Sequence, residues 1–294
     1  MILHFLSYLV VRLLIALYSL IPARKAYSLG AGVGEFLYPL FRSRRKLSTD
    51  NILKAKITDD PKRADEIGRK AFGHLAGHIC EALKIGEVVT PENWRNHCTI
   101  EAPPSFLETM EGRKDEPVLI ITGHHGTWEA AVPVFSSFRP LFAVARKMNN
   151  PLVQRFLKKK HFRGDVTIID KDHGFTSHVL HEWKKKAGAM TLIMDQHAGK
   201  KQGIMVDFLG RPASTHTSPA RIHLATRAPL LVGSFIRVGT FQYKIIVAGD
   251  PIRYEPTGDH AADTMAIMTE INRRLGKVIR LYPEQYLWAH KRWR

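Results

Sequence analysis

Cysteine is scarce in this chain of 294 residues: Cys80 and Cys98 are its only two, they stand far apart, and neither belongs to a CxxC pair. A disulfide framework and a zinc ribbon are thereby excluded, and a reducing compartment is the natural setting. Acidic residues are also few, 27 Asp and Glu against 44 Lys and Arg, which leaves a formal charge of +17. That excess favours a polyanionic partner, whether nucleic acid, anionic lipid or an acidic carrier protein, and does not choose among them. Internal repeats and low-complexity tracts are missing, and a hydrophobic content of 45% is enough to bury a full core, so one domain with an appendage is expected.

Charge is nearly absent from Met1 to Pro22, MILHFLSYLVVRLLIALYSLIP, where Arg12 is the only full charge. About 20 apolar residues suffice to span a bilayer. A mid-span arginine costs roughly 2.5–3.5 kcal/mol on insertion scales, which so many Leu, Ile and Val can offset. Arg24 and Lys25 follow the apolar run rather than precede it, so cleavage as a signal peptide is not expected. His4, Tyr8 and Arg12 share one helical face while Leu6, Val10, Leu13, Leu14 and Leu17 lie mostly elsewhere, which keeps an interfacial or protein-docked helix open beside the embedded one. Residues 1–22 are expected to form a membrane-anchoring helix and residues 23–294 the main domain. Arg42, Arg44, Arg45 and Lys46 follow a second apolar patch, Phe36 to Phe41, and suit a surface facing anionic headgroups on the cytoplasmic side.

Further on, Ile67, Ala71, Leu75, Ile79 and Leu83 recur every four positions and predict an amphipathic helix between Asp59 and Ile85. Val118 to Thr122 is a short apolar run ending at Gly123, the pattern of a buried strand entering a loop. Val166 to Ile169 and Met190 to Met194 repeat the pattern, with helical stretches between them, and strands alternating with helices predict parallel crossovers. Leu230 to Ile236 and Phe241 to Val247 flank Arg237-Val-Gly-Thr240 as a hairpin. The fold class expected is α/β: a central mixed, mostly parallel sheet flanked by helices, with an N-terminal hydrophobic membrane helix.

At the end of the first core strand stands Gly123-His124-His125-Gly126-Thr127-Trp128-Glu129, and the carboxyl ends of strands are where α/β sheets place their sites. The spacing His-x4-acid is weak by itself, since 15 His and 27 acids yield roughly 1.4 such pairs by chance. Context adds to it: Thr127 is positioned to cap a helix starting at Trp128, which puts Glu129 in the first turn, able to reach back to the imidazole of His124. A carboxylate on one ring nitrogen leaves the other free to take a proton from a hydroxyl, the logic of a general base. A solvated loop histidine is the other reading of the same residues. Backbone N–H groups around Gly126 are the candidate donors for a developing oxyanion. With no cysteine or elbow-type serine beside His124, direct attack without a covalent enzyme intermediate is expected.

The block containing His124 and Glu129 resembles the His-x4-Glu block of the lipid A biosynthesis lauroyl and myristoyl acyltransferases, within the wider lysophospholipid acyltransferase group. Ala145-Arg146-Lys147-Met148-Asn149-Asn150-Pro151 is similar to that family's Arg-x-x-Asn-Asn-Pro block. Met194-Asp195-Gln196, with Val206 to Gly210, resembles its Asp-Gln and Phe-Phe-Gly stretch, and Pro283 to Trp293 its C-terminal Pro-Glu-Gln-Tyr-Trp-His-Arg run. The blocks stand in the family's order over nearly the whole chain. The resemblance implies an acyl carrier protein or acyl-CoA thioester as donor and a glycolipid acceptor, a lipid A precursor, at the bacterial inner membrane with the catalytic domain on its cytoplasmic face. It also implies no metal, no cofactor, and catalysis by His124 and Glu129. Arg146, matching the family's arginine, is a candidate to hold an acceptor phosphate, with a structural salt bridge as the alternative. Asn149 and Asn150 read as substrate-lining residues or as caps before Pro151. Asp195 and Gln196 read as lining the site, or Asp195 as a buried brace for the loop. Phe208-Leu209-Gly210 departs from the double Phe, and Asn51 to Ile57 only partly echoes an Asn-x3-Ala-Phe-Pro stretch. The Phe-Pro-Glu-Gly block of glycerol-phosphate acyltransferases is missing, which speaks against a plain phosphatidic-acid route.

Competing readings are a different acceptor, such as a phosphatidylinositol mannoside or an amino-acid lipid, and a basic protein that only binds membrane or nucleic acid. Lys158 to Lys160 and Lys184 to Lys186 fall in separate helices without aromatic interleaving, so solvated faces or a docking surface for carrier protein and lipid explain them better than nucleic acid does. His74 and His78 share a helical face near Cys80 and Glu81, but no third metal ligand follows at a recognisable spacing, so packed or surface histidines are expected.

Overall fold

A computed structural model describes residues 2–112, 115–145, 148–161, 165–170, 176–199 and 203–294. Four helices precede the first strand: α1 (Ile2–Ser19), α2 (Ala23–Leu37), α3 (Arg42–Lys54) and α4 (Pro61–Val88). Then follow β1 (Cys98–Glu101), α5 (Ser105–Leu107), β2 (Val118–Thr122), α6 (Ala131–Phe138), β3 (Leu141–Ala145), α7 (Pro151–His161), β4 (Val166–Asp170), α8 (Ser177–Lys185) and β5 (Ala189–Ile193). The chain closes with β6 (Gly203–Phe208), β7 (Arg211–His216), α9 (Ser218–Thr226), β8 (Leu230–Gly239), β9 (Gln242–Val247) and α10 (His260–Leu281).

Seven strands form one sheet in the order β1-β9-β8-β2-β5-β3-β4, while β6 and β7 make a separate antiparallel ribbon. Every neighbouring pair in the large sheet is parallel except the hairpin β8–β9, so the expected mixed, mostly parallel α/β sheet is observed. All five residues of β2 are buried, which is why its sequence reads as an unbroken apolar run. Leu119 and Ile121 pack on one face with α3, α4, α9 and α10, while Val118 and Ile120 pack on the other with α6. Burying each of these side chains contributes roughly 1.5–3 kcal/mol.

The long helix predicted between Asp59 and Ile85 is α4. Pro61 opens it with its φ already helical, and the Asp60 carboxylate accepts a hydrogen bond from Lys62 N at 2.9 Å. α4 contributes to both cores, Ile67 and Ala71 to one and Ile85 to the other. Against its outer side lies α2, and the two helices meet through glycine. A Cβ on Gly34 would stand 2.8 Å from Ala76 Cβ and 3.0 Å from Gly73 Cα, and one on Gly77 would stand 2.8 Å from Tyr27 O.

The helix expected over residues 1–22 is shorter in the structure. α1 ends at Ser19, and the chain bends by 112° into the following helical stretch; among the described residues no single helix is long and apolar enough to cross a membrane. The turn is braced from the protein side, where Lys84 Nζ donates to Ser19 O (3.1 Å) and Ile21 O (2.6 Å) and Tyr18 Oη donates to Cys80 O at 2.5 Å. Tyr8, Val11, Ile15 and Tyr18 face inward, and Arg12 stacks over the Tyr8 ring at 5.7 Å. Leu6, Val10, Leu13, Leu14 and Leu17 stay exposed, as do Leu29, Val33 and Phe36 of α2 and Leu40 and Phe41 beyond it.

The close α2–α4 crossing makes a prediction. Gly34→Leu should destabilise the protein by about 1–3 kcal/mol through overpacking, read by thermal or denaturant unfolding in detergent. Gly32→Ala, on an exposed turn with nothing within 4 Å of the added Cβ, should be neutral or gain up to about 1 kcal/mol.

Candidate active site

β2 and β5 run parallel with Thr122 opposite Ile193. Two residues beyond each member of that pair stand His124 and Asp195, so the strand register delivers them side by side at the carboxyl ends of the sheet. Nδ1–H of His124 donates to Asp195 Oδ1 at 2.8 Å, and the backbone N–H of His124 donates to Oδ2 at 2.9 Å. Gly123 permits this approach: a Cβ there would lie 3.1 Å from Asp195 Cγ and Oδ2. The Asp195 side chain is 2% exposed and the His124 side chain 22%. Burial pushes the Asp195 carboxyl up, but the His124 ring, its two hydrogen bonds from His124 and the Arg292 guanidinium hold it below the usual carboxylate range.

Protonating Nδ1 puts the lone pair of the neutral ring on Nε2. Gln196 directs Nε2 of its amide at that nitrogen from 3.3 Å, a long hydrogen bond into the ring. Three of the residues expected here, His124, Asp195 and Gln196, are thus brought together. The expectation that Glu129 reaches back to His124 is corrected: the carboxylate hydrogen-bonded to Nδ1 is that of Asp195. Glu129 Oε2 instead lies 2.9 Å from Nε2 of His78 on α4, in ion-pair range but off the line of a hydrogen bond.

The loop after His124 also departs from expectation. Thr127 caps nothing: its hydroxyl is buried without a hydrogen-bond partner and its N–H donates to Phe235 O at 2.6 Å. Trp128–Ala130 is a short 3-10 turn leading into α6, because Thr127 is tied to β8 rather than to the turn's free N–H groups. The N–H groups near Gly126 are similarly committed, Gly126 N to Gln285 O at 3.0 Å and Thr127 N as above, so this pair does not form an oxyanion hole. Gly126 itself is required: its φ is +72° and a Cβ would come within 1.9 Å of Phe235 O.

The C-terminal run, to which the sequence assigned no role, is the brace of the site. Leu287 N donates to His124 O at 3.1 Å, Gln285 pairs with both backbone groups of Arg237, and Asn51 Nδ2 donates to Trp288 O and His290 O. His290 Nε2 accepts from His197 N at 3.1 Å, just past Gln196. Arg292 is buried over the Phe208 ring and donates to Gln196 O, Ser214 O and Thr215 Oγ1. No spacing rule signals these contacts, which depend on tertiary proximity alone.

Arg146 lies outside the described residues. Asn150 takes the capping alternative: its Oδ1 accepts from Leu152 N and Val153 N at the start of α7, and its Nδ2 donates to His4 O and Ser7 Oγ of α1. Asn149 is exposed. His74 and His78 are packed rather than superficial, His74 Nδ1 meeting the Tyr27 hydroxyl at 3.0 Å. A cavity of about 10 Å³ lies between His74, His78, His124 and Trp128. A wider depression of about 580 Å³, lined by Arg95, Arg139, Pro140 and Lys186, sits at the amino ends of β3 and β5, away from His124.

The sequence model of the family described as bacterial lipid A biosynthesis acyltransferase matches residues 1–294. A lipid A biosynthesis palmitoleoyltransferase of Escherichia coli K12 is 24% identical over 181 residues, 60% of this chain and 56% of that protein. A lipid A biosynthesis acyltransferase of Shigella flexneri matches over the same shares at the same identity. The alignment therefore spans a little over half the length of the curated relatives. Among solved structures, the 1-acyl-sn-glycerophosphate acyltransferase PlsC of Thermotoga maritima aligns over 92% of this chain and 97% of its own at 13% identity, with a TM-score of 0.36, too loose to carry an argument.

Two buried histidines make the stability of this region depend on pH. Burial lowers His125 from 6.5 to about 4; its Nε2–H donates to Tyr282 O and its Nδ1 accepts from Ser234 Oγ, both at 3.0 Å. Burial, reinforced by His78, lowers His74 to about 3. Both folded values lie below the unfolded one, so the stabilisation is complete above pH 6.5 and is lost as pH falls towards about 4 and about 3. The melting temperature should be level above about pH 7 and fall between about pH 6.5 and 5, before most carboxylates titrate; a flat profile across that window contradicts the assignment.

Proposed function

This chain belongs to the bacterial lipid A biosynthesis acyltransferase family, and on that premise we propose that it moves a fatty acyl group from an acyl carrier protein or acyl-CoA thioester to a hydroxyl of a lipid A precursor. The observation that carries the reading is the hydrogen bond from His124 Nδ1 to the buried Asp195, which leaves Nε2 as the basic nitrogen. An acceptor hydroxyl displaces the Gln196 amide and gives its proton to Nε2 while its oxygen attacks the thioester carbonyl. The C–S bond then breaks, and the thiolate leaves with the proton returned by the imidazolium. Asp195 favours that imidazolium and holds the ring in place, as a buried carboxylate does for a general base. Arg146 is assigned the acceptor phosphate. No covalent acyl-enzyme forms, so trapping an acyl adduct on the protein would sink the scheme.

For location, the exposed apolar faces of α1 and α2 and the Leu40–Phe41 elbow enter one leaflet at the cytoplasmic side of the inner membrane, with Arg42, Arg44 and Lys46 at its anionic headgroups. Carrying Glu at both Leu14 and Phe36 should release the protein from vesicles of anionic lipid, measured by flotation. Binding unchanged by both substitutions contradicts that placement.

The chemistry is tested with a labelled thioester and a panel of lipid hydroxyl acceptors in detergent, including phosphatidylinositol mannosides and amino-acid lipids beside lipid A precursors. His124→Ala and Asp195→Asn should each lower the rate on the order of a hundredfold or more. Full activity in His124→Ala overturns the base assignment.

A further inference from the structure

His78 projects from the middle of α4 into the wall of the site and is 1% exposed. Its Nε2 lies 2.9 Å from Glu129 Oε2, and its ring sits 4.2 Å from the Trp128 indole, centroid to centroid. The same indole meets the His124 ring edge-on at 5.3 Å. Both imidazoles border the small cavity of about 10 Å³. Behind His78, the ring of His74 lies nearly parallel at 6.1 Å, tied by its Nδ1 to the Tyr27 hydroxyl, with the Arg237 guanidinium 3.4 Å above the Tyr27 ring. The site thus brings together the histidine–carboxylate pairs His124–Asp195 and His78–Glu129, with Trp128 against both rings.

Glu129 is placed unlike a structural anchor. A carboxylate buried only to hold a loop has its oxygens satisfied, as Glu81 does nearby: it is fully buried and accepts from Arg237, Phe241 N and Tyr243 Oη. Glu129 has one buried oxygen, whose near neighbour is His78, while its side chain is 34% exposed. The adjoining residue, Trp128, packs on the ring assigned as the base. A negative charge on the residue that adjoins Trp128 favours the imidazolium through space, without the ring hydrogen bond that Asp195 already supplies.

We propose that His78 is a positioning residue for acyl transfer: it fixes the Glu129 carboxylate and the Trp128 indole beside His124, so that Glu129 serves the base through its charge and the indole sets the ring's attitude. The proposal rests on the reading of His124 as the base.

It is tested on the full-length protein in detergent with His78→Ala, His78→Gln, Glu129→Gln, the double variant His78→Ala/Glu129→Gln and His124→Ala. His78→Ala and Glu129→Gln should each lower kcat about tenfold with KM for the thioester within about twofold. The double variant should fall no further than the lower single, because the two act as one unit. His78→Gln, which keeps an N–H near the position of Nε2, should recover most of the rate, and the acidic limb of kcat in Glu129→Gln should move to lower pH as the imidazolium loses a neighbouring charge. Single effects that multiply in the double variant, or wild-type kcat in His78→Ala, overturn the proposal. So does a lowered melting temperature in His78→Ala with unchanged kcat per folded molecule, which marks a purely structural role. An inactive His124→Ala beside an unaffected His78→Ala overturns this proposal alone, whereas an active His124→Ala removes the base assignment and this proposal with it.

Discussion

The hydrogen bond between His124 and Asp195 depends on two parallel strands ending in step. β2 and β5 are paired through Thr122 and Ile193, so residues two positions further on meet across the same gap. A slip of one residue would turn each strand's side chains to the opposite face and separate the pair. The full burial of β2 opposes such a slip, since Leu119 and Ile121 fill one core and Val118 and Ile120 the other. Packing energy spread over the sheet is thereby converted into the placement of one imidazole and one carboxylate.

Once that contact is set, the surrounding elements hold it. The buried Arg292 supplies a countercharge to Asp195, and its guanidinium also ties the Gln196 carbonyl to the β7 strand through Ser214 and Thr215. A buried arginine is costly unless its donors are satisfied, and these partners of its two terminal nitrogens offset part of that cost, the buried Nε having none. The C-terminal run from Gln285 to His290 then closes over the loop, bonding to Gly126, His124 and Asn51. The Asp195–Gln196 block and the C-terminal run meet this loop directly, and Phe208 packs on that run through Tyr286, Arg292 and Trp293.

What the residues alone revealed follows from how far each signal reaches. Parallel strands announce themselves as apolar runs, so the buried β2 and β5 were legible, as was the half-buried edge strand β4, and so was α4 through its four-residue period. The hairpin was legible from its two apolar arms, although β8 runs on to Gly239. Partner choice was not legible, because it depends on register. Glu129 stood nearest His124 in sequence, whereas Asp195, 71 residues away, stands nearest in the sheet. The adjacent histidines look alike as letters, yet His125 is fully buried between Ser234 and Tyr282 while His124 faces the opening. The break after Ser19 was hidden by the continuous hydropathy of residues 1–22, which registers composition and not direction.

The most direct test of the account is the protonation pattern of the His124 ring. Long-range proton–nitrogen NMR of protein carrying ¹⁵N-labelled histidine, at a pH where the ring is neutral, reports which nitrogen bears hydrogen. The account predicts the Nδ1–H form for His124, lost or mixed in Asp195→Asn and retained in Glu129→Gln. An Nε2–H form in the wild type, or a pattern that follows Glu129 and ignores Asp195, would contradict it.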